Sequence, residues 1–259
     1  MNKLKLNYTS LSFLPILVCI PLGYQLINNI HFGGFKLFQE FLISAFNPKI
    51  DNEIIITIIN RLNETILIGF FSWLVSIIFG AIFGIISSNI FYKIFNIPNF
   101  FYRIIRFFLT IIRSIHEVVW GIILMQIYGI NFSIGIIAIC IPYIAVNSKV
   151  FAEQLETIDY KSFESINQIN APKFSSLLTL IWNPIINTFK NFGLYRLECS
   201  IRSTVILGLF GIGGIGTSIF LSFQTLNFRE LWTYLWLSLI HISEPTRLRR
   251  ISYAVFCLK

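Results

Sequence analysis

Apolar residues run along this chain in long blocks, broken by short polar stretches, and the blocks predict helices that cross a membrane. From Thr65 to Tyr92 no charged residue occurs, which is more than the ~20 residues needed to cross a hydrocarbon core ~30 Å thick. Within that block Gly80 and Gly84 form a small-xxx-small pair, a spacing that lets a second helix approach closely. An earlier uncharged block, Leu11 to Ile27, is broken by Pro15 and Pro21. No small-residue cleavage site follows it, so it reads as a first transmembrane helix rather than a signal peptide. His31 to Asn60 is mixed, with apolar residues at helical spacing near Phe35, Phe38 and Leu42, which suits an amphipathic stretch on the outer surface.

The third span is expected from about Phe107 to Tyr128, turning at Gly129-Ile130-Asn131 into a fourth that ends near Val150. A polar stretch, Glu153 to Pro172, precedes a fifth span from about Leu178 to Leu207. A glycine-rich loop and a last apolar run from Leu231 follow. The expected fold is therefore all-α: a polytopic membrane protein of about six transmembrane helices. Residues 1–60 form an N-terminal segment and 61–236 the core. Lys3, Lys5, Lys93, Arg103, Arg106, Lys149, Lys161 and Lys173 fall on one predicted side and outnumber Lys36, Lys49, Arg61 and Arg229 on the other. Because cytoplasmic loops gather Lys and Arg, both termini are expected in the cytoplasm.

Composition agrees with a membrane chain. The 259 residues are 55% hydrophobic and 12% charged, with 27 Phe, and mean hydropathy is +0.73. Soluble domains carry about 25% charged residues. The formal net charge of +8 reads first as a topology signal, since nucleic-acid binding needs a basic stripe on a soluble face and none is seen. Cys19, Cys140, Cys199 and Cys257 stand alone and the three His lie far apart, so neither a disulfide framework, a metal site nor a bound cofactor is expected. An intramembrane enzyme would need a clustered His, Asp or Ser constellation, which the spans lack.

Two stretches carry candidate chemistry. In the polar stretch, Leu155, Ile158, Phe163, Ile166 and Ile169 recur every three to four residues. Ser162 is placed to cap a helix whose first turn holds Glu164, and Asn170 with Pro172 ends it. Periodicity alone allows an amphipathic loop helix lying on lipid headgroups. Further on, Tyr195, Glu198 and Arg202 share one helix face, and Glu198 to Arg202 is the favourable i,i+4 ion-pair order. That pair is either an internal brace or, with Arg196, part of a path that offers guanidinium forks to a passing oxyanion. Gly211-Ile-Gly213-Gly214-Ile-Gly216 matches GxGxxG, but a membrane helix precedes it and the next acid, Glu230, comes too early for a dinucleotide fingerprint. Tight packing or a turn explains Gly208, Gly211, Gly213, Gly214 and Gly216 better. No GxxxxGK[ST] occurs, so this chain is not expected to hydrolyse ATP.

Residues Glu64 to Gly216 resemble the permease subunit of phosphonate-type ABC importers. Glu153-Gln-Leu-Glu156-Thr-Ile-Asp159, Glu164-Ser165, Asn170-Ala171 and Asn183-Pro184 resemble the coupling loop of importer permeases, here spanning 151–173. Leu194-Tyr-Arg-Leu-Glu198 with Ile201-Arg-Ser203, and the block Leu207 to Gly216, are similar to the phosphonate branch in particular. Asn170 stands at the loop's usual glycine, Ser165 at a small position usually alanine, and His116 where the family tends to have proline. The resemblance implies a dimer of permease copies, an extracytoplasmic substrate-binding protein, and separate ABC ATPase subunits that use the ATP and engage the loop. It implies uptake of phosphonate across the cytoplasmic membrane, or of phosphite, phosphate or another small oxyanion.

Leu237 to Lys259 is expected to be non-native. LSLIHISEPTR and ISYAVFCLK resemble the translation of a transposase mosaic end joined to a library adapter and of that adapter's far end. Only Leu231 to Trp236 of the sixth span is native on this reading; the rival reading is a basic tail after the last span.

Overall fold

A computed structural model of the chain describes residues 32–95, 97–98, 100–157 and 192–243, with single positions elsewhere. Every regular element among them is helical. The expected first span lies outside the described residues apart from Pro21. The chain divides into two compact units, Met1–Pro48 and Lys49–Lys259, so the division expected after residue 60 falls inside a helix of the second unit. In the first unit α1, Phe32–Ser44, exposes Phe35, Phe38 and Leu42, whose spacing places them along one side.

The second unit begins with α2, Asn52–Ile86, a single helix of 35 residues and therefore about 52 Å long. The span expected from Thr65 thus starts a dozen residues earlier. The cause is packing: Ile54 and Ile58 are buried in a cluster with Ile215 and Tyr234, so this stretch is held by the protein rather than lying on a surface. Next come α3, Asn89–Phe95, α4, Phe100–Ser114, α5, Glu117–Tyr128, and α6, Phe132–Glu156. Helices α2 and α6 are both long and apolar enough to cross a bilayer. They pack directly on each other. A Cβ at Gly80 would lie 2.5 Å from Asn147 Cβ, and one at Gly84 2.6 Å from Phe151 Cβ, so the glycine pair is what lets the backbones meet.

Small buried polar residues bind the bundle where water is absent. Ser72 Oγ donates to its own helix at Ile68 O (2.7 Å), Asn147 Nδ2 donates to Ser76 Oγ (3.3 Å), and Ser200 Oγ donates to Gly69 O (2.7 Å). On α2, Phe70, Phe71, Leu74, Ile78 and Phe79 remain exposed, an apolar surface suited to lipid.

The third span differs from expectation. Instead of one helix over Phe107–Tyr128 there are two, α4 and α5, bent by 86°. The break falls in Ser114-Ile115-His116, where His116 takes an extended backbone (φ −66°, ψ 146°) and its Nδ1 accepts from Val118 N–H. His116 is thus the N-cap of α5, which explains a polar residue inside an apolar run. The turn at Gly129-Ile130-Asn131 forms as expected, with Gly129 at φ 78°.

Further along the chain, α7 covers Leu194–Gly208, α8 Ile215–Gln224 and α9 Phe228–Ser243. The last helix starts at Phe228 and runs into the adapter-like segment, where Leu237 packs on the Ile54–Ile58 cluster. Residues 244–259 lie outside the described residues.

Candidate functional site

Where α4 bends into α5, the two helices and the middle of α6 and α7 border an open cavity of about 400 Å³. The bend supplies Arg113, His116 and Glu117, α6 supplies Pro142 and Tyr143, and α7 supplies Arg196, Arg202 and Ser203. Guanidinium groups in a membrane chain are costly unless they face the protein interior or a watery space, and this cavity is such a space.

A directed hydrogen-bond chain crosses three helices. Ser203 Oγ donates to Glu117 Oε1 at 2.7 Å, and Tyr143 OH lies 2.8 Å from Ser203 Oγ. A serine hydroxyl has one proton, so the tyrosine must be the donor to it. His116 Nδ1 already accepts from Val118 N–H, which leaves the ring proton on Nε2. Its 3.6 Å separation from Glu117 Oε2 is then not a hydrogen bond.

The arginines are held differently. Arg202 forms an ion pair with Glu198 one turn back on α7. Arg196 lies over the Tyr143 ring, its Cζ 3.9 Å from the centroid, a cation–π contact that holds the guanidinium beside the cavity. The Nε atoms of both arginines are buried and have no acceptor among the described residues. Arg113, in the last turn of α4, also lines a second cavity of about 120 Å³ with Arg106, Lys149 and Glu153. Tyr195 is not among the residues lining the main cavity and is 44% exposed.

The acids expected at the start of the coupling loop sit at the end of α6. Glu153 pairs with Lys149 at 3.4 Å. Glu156 closes a junction: its Oε1 accepts from Asn89 N–H at 3.0 Å, opening α3, and it forms an ion pair with Arg106 of α4. Arg106 Nε in turn donates to Ser87 O at 2.8 Å. Asp159, Glu164, Ser165, Asn170 and Ala171 lie outside the described residues.

The glycine-rich block makes a turn, not a phosphate loop. Gly211, Gly213 and Gly214 have φ of 94°, 126° and 76°, the left-handed region that side chains disfavour. Gly208 is needed for space, since a Cβ there would lie 2.7 Å from Gly213 O and 2.9 Å from Gly216 Cα. Reading the sequence missed Arg113, Glu117, Tyr143 and Ser203 as one group. The available signal was the polar run Arg113-Ser-Ile-His-Glu117 within an apolar block; Tyr143 left none.

No protein-family model matches the chain. It is 26% identical over 130 residues to the phosphite transport system permease protein PtxC of Stutzerimonas stutzeri, covering 50% of this chain and 47% of the relative. It is 25% identical over 123 residues to the phosphate-import permease protein PhnE of Mycolicibacterium smegmatis (48% of this chain, 23% of the relative). A third relative, the ABC transport system permease protein p69 of Mycoplasma genitalium, is 26% identical over 187 residues, 72% of this chain and 33% of its own length. The match therefore spans about half or less of each relative. Among solved structures, a chain of the inward-facing MetNI methionine ABC transporter superposes with a TM-score of 0.62 at 17% identity, over 74% of this chain and 93% of that one. The fold is that of an ABC transporter membrane chain, and the chain is a multi-pass membrane protein. Two of these similar sequences are permease proteins of phosphite and phosphate transport.

Proposed function

We propose that this chain is the membrane-spanning permease subunit of an ABC importer that moves phosphonate or a related phosphorus oxyanion, phosphite and phosphate included, across the cytoplasmic membrane. The observation that carries the reading is a cavity rich in guanidinium groups inside the fold of an ABC transporter membrane chain. Guanidinium forks suit tetrahedral oxyanions geometrically, because two parallel N–H donors match two oxygens.

In this account the chain performs no chemistry on its substrate. A partner ABC ATPase uses the ATP, an extracytoplasmic binding protein delivers the anion, and a second copy of the chain completes the pathway. Both termini face the cytoplasm. The segment Glu153 to Ala171, with Glu153, Glu156, Asp159, Glu164, Ser165, Asn170 and Ala171, transmits the ATPase's motion. The tie of Glu156 to α3 and α4 supports this role, because displacement of the loop would reach both helices and so the wall of the cavity. The glycines Gly208, Gly211, Gly213, Gly214 and Gly216 serve packing.

Growth tests the proposal. A host without its own uptake systems is supplied with the chain, its partner ATPase and its binding protein, and given phosphite, methylphosphonate or phosphate as limiting phosphorus source, with the metabolic enzymes each requires. Growth that needs all three components is expected. Growth equally good without the chain would refute the reading.

A further inference from the structure

We infer that the cavity is a binding station for a protonated phosphorus oxyanion, with Arg113 and Arg196 as its ligating cations and Glu117 as the group that selects against sulfate. The inference rests on the transport reading above and adds which residues hold the anion and how it is recognised.

The three arginines of the cavity are not equivalent. Arg202 is neutralised by Glu198 on its own helix, and so serves as a brace. Arg196 lies over the Tyr143 ring, its Cζ 3.9 Å from the centroid, and among the described residues it has neither hydrogen bond nor ion pair. A guanidinium carries five N–H donors and no acceptor, so a half-buried fork with no carboxylate beside it suits an oxyanion. Arg113 reaches the same cavity from α4; among the described residues it has neither hydrogen bond nor ion pair. Two forks from two helices match an anion that offers three oxygens around one phosphorus.

Glu117 at first looks wrong beside an anion. One of its oxygens, Oε1, is engaged by Ser203, whose hydroxyl is fed by Tyr143. The chain of donors keeps the carboxylate in place and leaves Oε2 with no hydrogen-bond donor among the described residues. A phosphorus oxyanion near neutral pH keeps a P–OH proton in part of its population and can donate it to that oxygen. Sulfate has no proton to give and meets only repulsion between like charges. Stacking of Arg196 on Tyr143 ties the two halves together, since the residue that orients the fork also begins the chain that orients the acid. Arg113 lines the second cavity too, but there Lys149 pairs with Glu153 and Arg106 with Glu156, so that cavity offers the anion no comparable site.

The test is phosphorus-31 line broadening of millimolar phosphite by the permease–ATPase complex in nanodiscs, without binding protein and with ADP filling the ATPase sites. Broadening is expected with the wild type. It should fall about tenfold or more in Arg113→Gln and in Arg196→Gln, the loss of a charge-assisted contact, and persist in the double variant Glu198→Gln/Arg202→Gln. Equimolar sulfate should leave the wild-type signal unchanged and compete in Glu117→Gln. Arg196→Lys and ATPase activity stimulated by the binding protein check that the variants assemble. Unchanged broadening in both Arg113→Gln and Arg196→Gln, or equal competition by sulfate in wild type and Glu117→Gln, overturns the inference. A complex that supports growth but gives no broadening overturns the station and spares the transport reading; absence of both overturns both.

Discussion

The backbone N–H of Gly214 donates to Glu64 Oε2 at 3.0 Å, joining positions 150 residues apart in sequence. The next N–H, of Ile215, donates to Thr65 Oγ1 at 2.9 Å. These are the first donors of α8, which a helix cannot satisfy by itself, and α2 supplies their acceptors. Arg61 holds Glu64 in place at 2.9 Å. The glycine-rich turn therefore exists to bring the start of α8 against the side of α2.

Thr65 is 3% exposed, so Thr65→Val keeps the shape and strands a buried N–H. The expected cost is about 1–3 kcal/mol, read as a lower melting temperature of the complex in detergent. Glu64→Gln, at a half-exposed position and still able to accept, should cost less. Equal melting of Thr65→Val and wild type would contradict the tie.

Gly80 faces Asn147 with no room for a side chain. Gly80→Val should force α2 and α6 apart and sharply lower the yield of folded protein, and Gly80→Ala should cost about 1–3 kcal/mol through overpacking. The control is an exposed α2 position such as Ile78→Val, where little change is expected. Thermal denaturation of the purified chain measures both.

Arg202→Leu leaves Glu198 unpaired in a part-buried site, so its membrane yield should drop. Adding Glu198→Leu should restore yield, because removing both members of an ion pair is often tolerated where removing one is not. The restored double variant should also transport. A stable double variant without transport would make Arg202 a ligand rather than a brace.

Much of this arrangement could be read along the chain, and the rest could not for definable reasons. Helices α2 and α6 announce themselves by uncharged length, and the Glu198–Arg202 pair by its i,i+4 spacing. The start of α2 did not, because Ile54 and Ile58 look like one face of a surface helix until Ile215 and Tyr234 cover them. The 86° bend was hidden by a composition that suits a single span; only the backbone of His116 makes the break. The cavity was illegible as a unit, since Arg113, Tyr143 and Arg196 meet only once α4, α6 and α7 are packed.

Glu164→Lys should uncouple transport from ATP hydrolysis in the reconstituted complex while leaving the chain folded. Glu164 is an acid in the stretch proposed to engage the partner ATPase, where a reversed charge opposes that contact. Normal uptake together with normal ATPase stimulation would remove the coupling role from that residue.

The most direct test of the central claim is ATP-driven uptake by proteoliposomes that hold the chain with its ATPase, with the binding protein outside. Labelled phosphite, methylphosphonate and phosphate are compared with sulfate and methionine. The account predicts accumulation of at least one phosphorus oxyanion, dependent on ATP enclosed within the vesicles, and none of sulfate or methionine. Accumulation of methionine or sulfate with no uptake of any phosphorus oxyanion would contradict it.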